Sequence, residues 1–180
     1  MKLHLGCGKR YLPGFVHIDI NPFEHVDHVT PIDCLDMIED GAAELIYASH
    51  CFEYFDRVEA VRVLSEWRRV LKSGGILRLA VPSFEELLEV YRATGELDRL
   101  IGPIFGRWEL KNGTCIYHKT VYDRKSLKSL LESNGFRDTT EWDWRRELPT
   151  GYDDYSRAYY PHMDLDNGIC TSLNMQALKA

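Results

Sequence analysis

Two glycines and an acid are the first residues spaced for chemistry. Leu5-Gly6-Cys7-Gly8 closes a short apolar run, Lys2–Leu5. A glycine pair at the carboxyl end of a strand lets backbone come close to a ligand. Asp19 lies eleven positions after Gly8, near the end of the next apolar run, Phe15–Ile20. A carboxylate there can accept hydrogen bonds from both hydroxyls of a ribose, although a solvated turn acid would read the same way. Only six residues, Lys9 to Gly14, separate Gly8 from Phe15. A parallel crossover normally needs about a dozen or more, usually with a helix, and Pro13-Gly14 reads as a turn. A full first crossover helix has no room, so no helix N-terminus is there to cradle a pyrophosphate. Lys9-Arg10-Tyr11-Leu12 also breaks the G-x-G-x-x-G/A fingerprint of dinucleotide sites. A ligand without a pyrophosphate suits the short loop better.

The elements that must position these groups read as short apolar runs alternating with amphipathic stretches, the pattern of an α/β sheet. After the two runs above come strand candidates at His28–Ile32, Leu45–Ser49, Ile76–Val81, Phe136–Trp144 and Thr171–Leu178, making seven. The clearest helix is Arg57–Lys72, with Val58, Val61, Leu64, Trp67, Val70 and Leu71 at three- and four-residue spacing and Ser73-Gly74-Gly75 ending it. Ser83 caps a helix over Phe84–Ala93, and a further helix covers Arg124–Ser133 before Asn134-Gly135. The sequence has no internal repeat, low-complexity tract or linker, so residues 1–180 are expected to form a single domain.

Composition narrows the class. Lys plus Arg is 22 against 28 for Asp plus Glu, a formal charge of −6. That argues against a protein that grips nucleic-acid phosphates. No apolar run reaches the roughly 18–20 residues of a membrane span, and the first residues carry no signal-peptide core. Five scattered cysteines with no C-x-x-C pair read as reduced thiols of a cytoplasmic protein. His25 and His28 could pair on a metal by spacing, but they read as a solvated loop, and no metal is expected.

Five ordered segments resemble small class I S-adenosylmethionine-dependent methyltransferases of the type 11-like kind. The opening Leu5-Gly6-Cys7-Gly8 with Leu12-Pro13-Gly14-Phe15-Val16-His17-Ile18-Asp19 is the first. Ser49-His50-Cys51-Phe52-Glu53-Tyr54-Phe55 is similar to a fourth-strand motif S-H-x-L-E-H-F. Glu66-Trp67-Arg68-Arg69-Val70-Leu71-Lys72-Ser73-Gly74-Gly75 resembles E-x-x-R-V-L-K-P-G-G, with Ser73 in place of the proline, and Leu79-Ala80-Val81-Pro82 follows it. His118 to Tyr122 with Leu127, Leu130-Leu131 and Asn134-Gly135-Phe136 resembles H-x-x-x-Y…L-x-x-L-L-x-x-x-G-F. The closing Thr171–Lys179 resembles the last strand of a subgroup associated with glycan biosynthesis. The resemblance implies a Rossmann-like, seven-stranded, mostly parallel sheet with the first crossover helix shortened or missing. Gly6, Cys7 and Gly8 would pass beneath the amino-acid part of S-adenosylmethionine, Asp19 would take its ribose and Ile20 would pack on adenine. Asp33, ending the third strand, would face the adenine amino group, and Cys34 would offer its amide; Pro31-Ile32-Asp33-Cys34 also reads as a plain N-cap. Ser49 and His50 would line the floor beside the methyl donor.

Methyl transfer to a hydroxyl needs alignment and a base. His50 and His118, with Tyr122 nearby, are the candidates, since a histidine near its ordinary pKa of about 6.5 suits proton abstraction at neutral pH. His50 and Glu53, one turn apart, could instead form a structural contact. Trp142 to Asn167 interleaves Trp142, Trp144, Tyr152, Tyr155, Tyr159 and Tyr160 with Arg145, Arg146 and Arg157. It could be a lid for a small-molecule, sugar or nucleotide-sugar acceptor, a cover for the sheet face left bare by the missing helix, or a homodimer surface. The expected ligands are S-adenosylmethionine and its product S-adenosylhomocysteine, and the negative charge suits so cationic a ligand. The alternatives are a non-catalytic binder of these ligands acting as a regulatory or scaffold partner, and a nucleotide-linked oxidoreductase, which the short first loop disfavours.

Overall fold

The computed structural model describes residues 1–180. Its first half runs β1 (Lys2–Leu5), β2 (Val16–Asp19), β3 (His28–Val29), β4 (Ala43–Ser49), α1 (Arg57–Val70) and β5 (Leu71–Pro82). The second half runs α2 (Phe84–Thr94), α3 (Asp98–Phe105), β6 (Trp108–Glu109), β7 (Cys115–Ile116), α4 (Arg124–Ser133), β8 (Phe136–Glu141), α5 (Trp144–Glu147), β9 (Tyr159–Tyr160), β10 (Ile169–Cys170) and β11 (Ser172–Lys179). Seven strands form one sheet in the order β3-β2-β1-β4-β5-β11-β8. The pairs among β1 to β5 are parallel, and β11 runs antiparallel to β5 and β8. Strand order reverses between β1 and β4, the place where open α/β sheets bind ligands. No helix is long and apolar enough to cross a membrane.

The first three connections carry no helix, so the crossover that the sequence left no room for is missing outright. α1 stands in for part of it. Asp56 caps α1 by accepting from the amides of Val58 and Glu59, while Glu59 accepts from the Asp56 amide. From its buried side, Trp67 Nε1 donates to the Ile32 carbonyl at 2.7 Å. Arg69 donates to the Leu35 and Ile38 carbonyls, and Glu66 accepts from the Leu35 amide. The stretch before β4 is thereby clamped without secondary structure of its own.

Several boundaries move. β3 stops at Val29 instead of Ile32 because Pro31 has no N–H to donate. A turn closed by the Cys34 amide on the Pro31 carbonyl follows. Asp33 therefore sits exposed in that turn, neither ending a strand nor capping a helix. In α1 the buried stripe is Ala60, Val63, Leu64, Trp67 and Val70, while Val58 and Val61 are 74% and 43% exposed. The period is as expected, but its apolar face lies one position aside. α1 also ends at Val70, and β5 begins at Leu71 and runs on through the glycines. The helix α3 has no counterpart in the sequence reading, since Gly102-Pro103 within it resembles a breaker.

Side chains alternate across the sheet. One face carries Leu3, Leu5, Ile46, Ala48, Leu77, Leu79, Val81, Leu173, Met175 and Ala177, buried against α1 and α4 in the main core. The other face carries His4, Tyr47, Arg78, Asn174 and Gln176. The missing helices would have covered it, and residues after β8 cover it instead. Trp142 packs with Leu12, Tyr47 and Ala80, joined by Phe15, Trp144, Leu148 and Tyr152. Trp142 Nε1 donates to the Leu79 carbonyl at 2.8 Å, and the Arg78 guanidinium lies over its ring. Arg78 itself is held by Glu147 at 2.8 Å and by Gln176. Tyr47 Oη donates to buried Asp154 at 2.5 Å. Of the rings that the sequence offered for a homodimer surface, Trp142 faces inward with Trp144 and Tyr152 packed beside it, while Tyr155 is 56% exposed. Trp142→Ala should cost about 3–5 kcal/mol of stability, read as a lowered urea midpoint; an unchanged midpoint would mean this cover is not holding the face.

Candidate active site

The carboxyl ends of β1, β2 and β4 meet at the switch point. Gly6 adopts φ +63° there, and a Cβ on it would lie 2.7 Å from Cys51 Cβ, so only glycine fits. Two residues on, the Gly8 amide donates to Asp19 Oδ2 at 2.8 Å, and the Asn21 amide donates to Asp19 Oδ1 at 2.7 Å. Asp19 thus ties the glycine loop to the end of β2, with an unused lone pair on each oxygen for a further donor. The Cys7 thiol is pushed up to about 12, by burial first and then by the neighbouring Asp19, so it stays neutral. Ile20 is exposed at the same edge. The Ser49 hydroxyl, at the end of β4, is buried with no hydrogen-bond partner. Asp19 and the orphaned Ser49 hydroxyl fit a polar ligand at this edge. Asp33 and Cys34 are exposed beyond it, and the Cys34 amide already donates to Pro31 at 3.1 Å.

The histidines gather next to this edge, around one acid. His50 follows β4 with φ +50°, an uncommon backbone state for a non-glycine residue. Its amide donates to the Ala80 carbonyl at 2.8 Å. Its Nε2 lies 3.0 Å from Ser172 Oγ, and its Nδ1 lies 3.6 Å from Glu53 Oε1. His118 arrives from the other side, between β7 and α4. Its amide donates to the Phe105 carbonyl at 2.8 Å and its Nδ1 donates to the Pro103 carbonyl at 2.9 Å. His118 Nε2 then points at the same Glu53 Oε1, again at 3.6 Å. Gly106 makes room for that ring: at φ +51°, a Cβ there would come within 2.4 Å of it. The third helix and the glycine ending it thus set the second histidine.

Glu53 is fully buried and neither of its oxygens has a hydrogen-bond partner. Burial pushes its carboxyl up to about 8. Burial likewise holds His50 down to about 3 and lowers His118. Tyr122 lies in the core, stacked on Phe52, with its hydroxyl buried and unpartnered. Burial and then the Glu53 charge push its pKa up. The structure therefore brings His50, His118 and Tyr122 together, with Glu53 at the centre. The one-turn spacing of His50 and Glu53 and the acid of the fourth-strand motif were the sequence signals for Glu53. Nothing local marked Gly106 or Ser172.

An open cleft of about 570 Å³ adjoins this group at Ser172. Trp144, Arg145, Glu141 and Tyr159 help to line it, and the Arg145 guanidinium lies over the rings of Trp144 and Tyr159. The late aromatic segment therefore does two things: Trp142 and Tyr152 cover the sheet, while Trp144 and Tyr159 wall the cleft. Tyr155 approaches His50, with ring centroids 5.5 Å apart. His25 lies against Cys7, 3.8 Å from its sulfur, and no three His, Cys, Asp or Glu side chains are placed to hold a metal ion.

Comparison with known proteins agrees with this architecture. Residues 15–79 match the methyltransferase domain family. No curated protein sequence matches the chain. Among solved structures, a SAM-dependent methyltransferase from Archaeoglobus fulgidus is similar at 18% identity and a TM-score of 0.57, covering 99% of this chain and 85% of that one. A SAM-dependent methyltransferase from Methanosarcina mazei aligns at 16% identity and 0.57, covering 99% and 91%. The 1,6-didemethyltoxoflavin-N1-methyltransferase of Burkholderia thailandensis, solved with S-adenosylhomocysteine, aligns at 12% and 0.55, covering 99% and 70%. The fold is the Rossmann-like fold of class I methyltransferases.

The buried groups set a pH profile for stability. His4 on β1 is also held down to about 3, by burial first and then by His17 and His25. His4 and His50 have folded values below the unfolded one, so their contribution is complete above about pH 6.5 and is lost as pH falls toward about 3. Glu53 has a folded value above the unfolded one, so its contribution is complete below about pH 4.5 and is lost as pH rises through about 8. Between these limits the two histidines outweigh the one acid. Unfolding free energy from urea titrations should therefore peak near about pH 6.5. In Glu53→Gln the decline between pH 6.5 and 8 should disappear; its persistence would remove Glu53 as the cause.

Proposed function

We propose that this chain is an S-adenosylmethionine-dependent methyltransferase acting on a small-molecule or glycan-linked acceptor, with a histidine as general base. The observation that carries the reading is the adjacency of two sites at one sheet edge. A glycine loop tied to an acid ends β1 and β2, and the buried histidine pair begins one residue after Ser49. When bound, S-adenosylmethionine supplies an electrophilic methyl group, its sulfur keeping the bonding pair and becoming the thioether of S-adenosylhomocysteine.

Gly6, Cys7 and Gly8 run beneath the amino-acid end of that ligand. Asp19 accepts from the ribose hydroxyls, and Ile20 packs on the adenine. Ser49 supplies its unpaired hydroxyl to the floor. Asp33 reaches the adenine amino group from its exposed turn, and Cys34 can offer its amide only by giving up its bond to Pro31. The acceptor enters by the cleft beside Ser172. The stacked arginine and rings of Arg145, Trp144 and Tyr159 suit the apolar faces and hydroxyl edges of a sugar. His50 or His118 takes the acceptor proton, and Tyr122, buried behind them, acts only through their surroundings. Five free cysteines fit a reducing cytoplasm.

Binding can be tested before any acceptor is known. S-Adenosylhomocysteine should raise the melting temperature of the folded chain. Asp19→Ala should weaken its binding by about 1–3 kcal/mol, roughly five- to 150-fold in Kd by calorimetry. An unshifted melting temperature would end the reading, and an unchanged Kd in Asp19→Ala would place the ribose elsewhere. Binding with no methyl transfer to any glycoside, sugar nucleotide or small hydroxyl compound would favour a non-catalytic binder.

A further inference from the structure

Neighbouring hydrogen bonds decide which nitrogen of each histidine carries hydrogen. Asn174 Nδ2 donates to the Ser156 carbonyl at 2.9 Å, which turns its Oδ1 toward Ser172. The Ser172 hydroxyl donates to that oxygen at 2.9 Å. A hydroxyl has one proton, so Ser172 Oγ accepts at 3.0 Å from His50 Nε2–H. His50 Nδ1 is then a bare lone pair, facing Glu53 Oε1. A carbonyl can only accept, so Pro103 fixes the hydrogen of His118 on Nδ1. His118 Nε2 is also a bare lone pair, facing the same oxygen.

On Oε1 an ionised Glu53 would thus meet two lone pairs and no side-chain donor, with both of its oxygens closed to water. The other groups around it do not change this. Burial holds the Cys51 thiol and the phenols of Tyr54 and Tyr122 neutral, and the Lys119 ammonium is turned to Glu59. The amides of Phe52 and Glu53 pull the carboxyl only partway back toward its ordinary value. A protonated Oε1, by contrast, would have a nitrogen lone pair 3.6 Å away on either side, within reach of a small movement of the side chains.

We propose that Glu53, His50 and His118 hold one proton among them at neutral pH, seated on Glu53 Oε1 and donated to either imidazole, and that this trio receives the proton released by the acceptor. While Glu53 serves one histidine, the other keeps a free lone pair. The acceptor X–H bond breaks with its electron pair staying on X to form the bond to methyl. The proton joins the free imidazole, and the trio passes from neutral to a charge of +1. His50, whose side chain is 12% exposed, returns the proton to water after product leaves. The raised Glu53 value and the lowered His50 value agree with this seating.

The second half of the proposal rests on the methyl-transfer reading, whereas the seat of the proton does not. The test is NMR on the folded chain labelled with 13C-glutamate and 15N-histidine at pH 7. One glutamate carboxyl, absent from Glu53→Gln, should carry the shift of a protonated acid. His50 should appear as the Nε2–H tautomer and His118 as the Nδ1–H tautomer. An ionised Glu53 beside two neutral histidines, or reversed tautomers, overturns the proposal whether or not the chain transfers methyl. If Glu53→Gln does not fold, His118→Gln serves instead: the protonated carboxyl should persist, since His50 still accepts from it, and its loss overturns the proposal. Once an acceptor is found, Glu53→Gln should lower kcat at least tenfold with KM unchanged. An unchanged kcat with the proton seated as stated would overturn the trio as the proton's destination while leaving methyl transfer standing.

Discussion

A sheet with one apolar and one polar-aromatic face has to be closed differently on its two sides. This requirement organises the molecule. On the apolar face, α1 and α4 pack in the ordinary way, with Trp67, Leu127 and Leu131 buried against β1, β4, β5 and β11. On the other face His4, Tyr47, Arg78 and Asn174 need partners for nitrogen and oxygen as well as for carbon. A helix with a plain apolar stripe would leave those groups unpaired, at a cost of about 1–3 kcal/mol each. The stretch after β8, rich in tryptophan, tyrosine and acid, supplies partners for Tyr47, Arg78 and Asn174, while His4 Nδ1 stays without one.

The cover and the site are joined through side chains. Tyr47 and Ser156 both bind Asp154, the Ser156 carbonyl takes the Asn174 amide, Asn174 takes the Ser172 hydroxyl, and Ser172 meets His50. Every bond in that chain is between 2.5 and 3.0 Å. The orientation of an imidazole at the sheet edge therefore depends on an aspartate beneath the aromatic cover. The opposing histidine depends on α3, through the Pro103 carbonyl and the space left by Gly106. Two independent parts of the fold thus meet at Glu53.

Much of this was legible in the residues. The short interval before Phe15 announced the missing crossover, because six residues cannot both turn back and form a helix. The alternation in Leu3-His4-Leu5 and Leu77-Arg78-Leu79 is present in the sequence, but taken as short apolar runs these segments did not announce the polar face. The motif around Glu66, Trp67 and Arg69 was visible as a pattern, but its task was not. That task is to reach across and hold the helix-free stretch before β4. Glu53 was underweighted because an acid one turn from a histidine is so common on exposed surfaces. Its meaning came from a second histidine sixty-five positions away, which sequence spacing cannot place. Asp33 does not end a strand, because the strand leading toward it is cut short before Pro31, whose missing donor outweighs the apolar residues around it.

The inserted position of β11 has a consequence for how the protein comes to life. This strand lies between β5 and β8, and its Ser172 meets a histidine 122 positions earlier in the chain. Contacts of such sequence separation form late, since a long loop must close before they are rewarded. A partly assembled chain could bury Trp67 against β1, β4 and β5 and still lack both the share of the core that β11 brings and the hydroxyl that meets His50. The orientation of that imidazole is therefore set only once the last strand has threaded between β5 and β8.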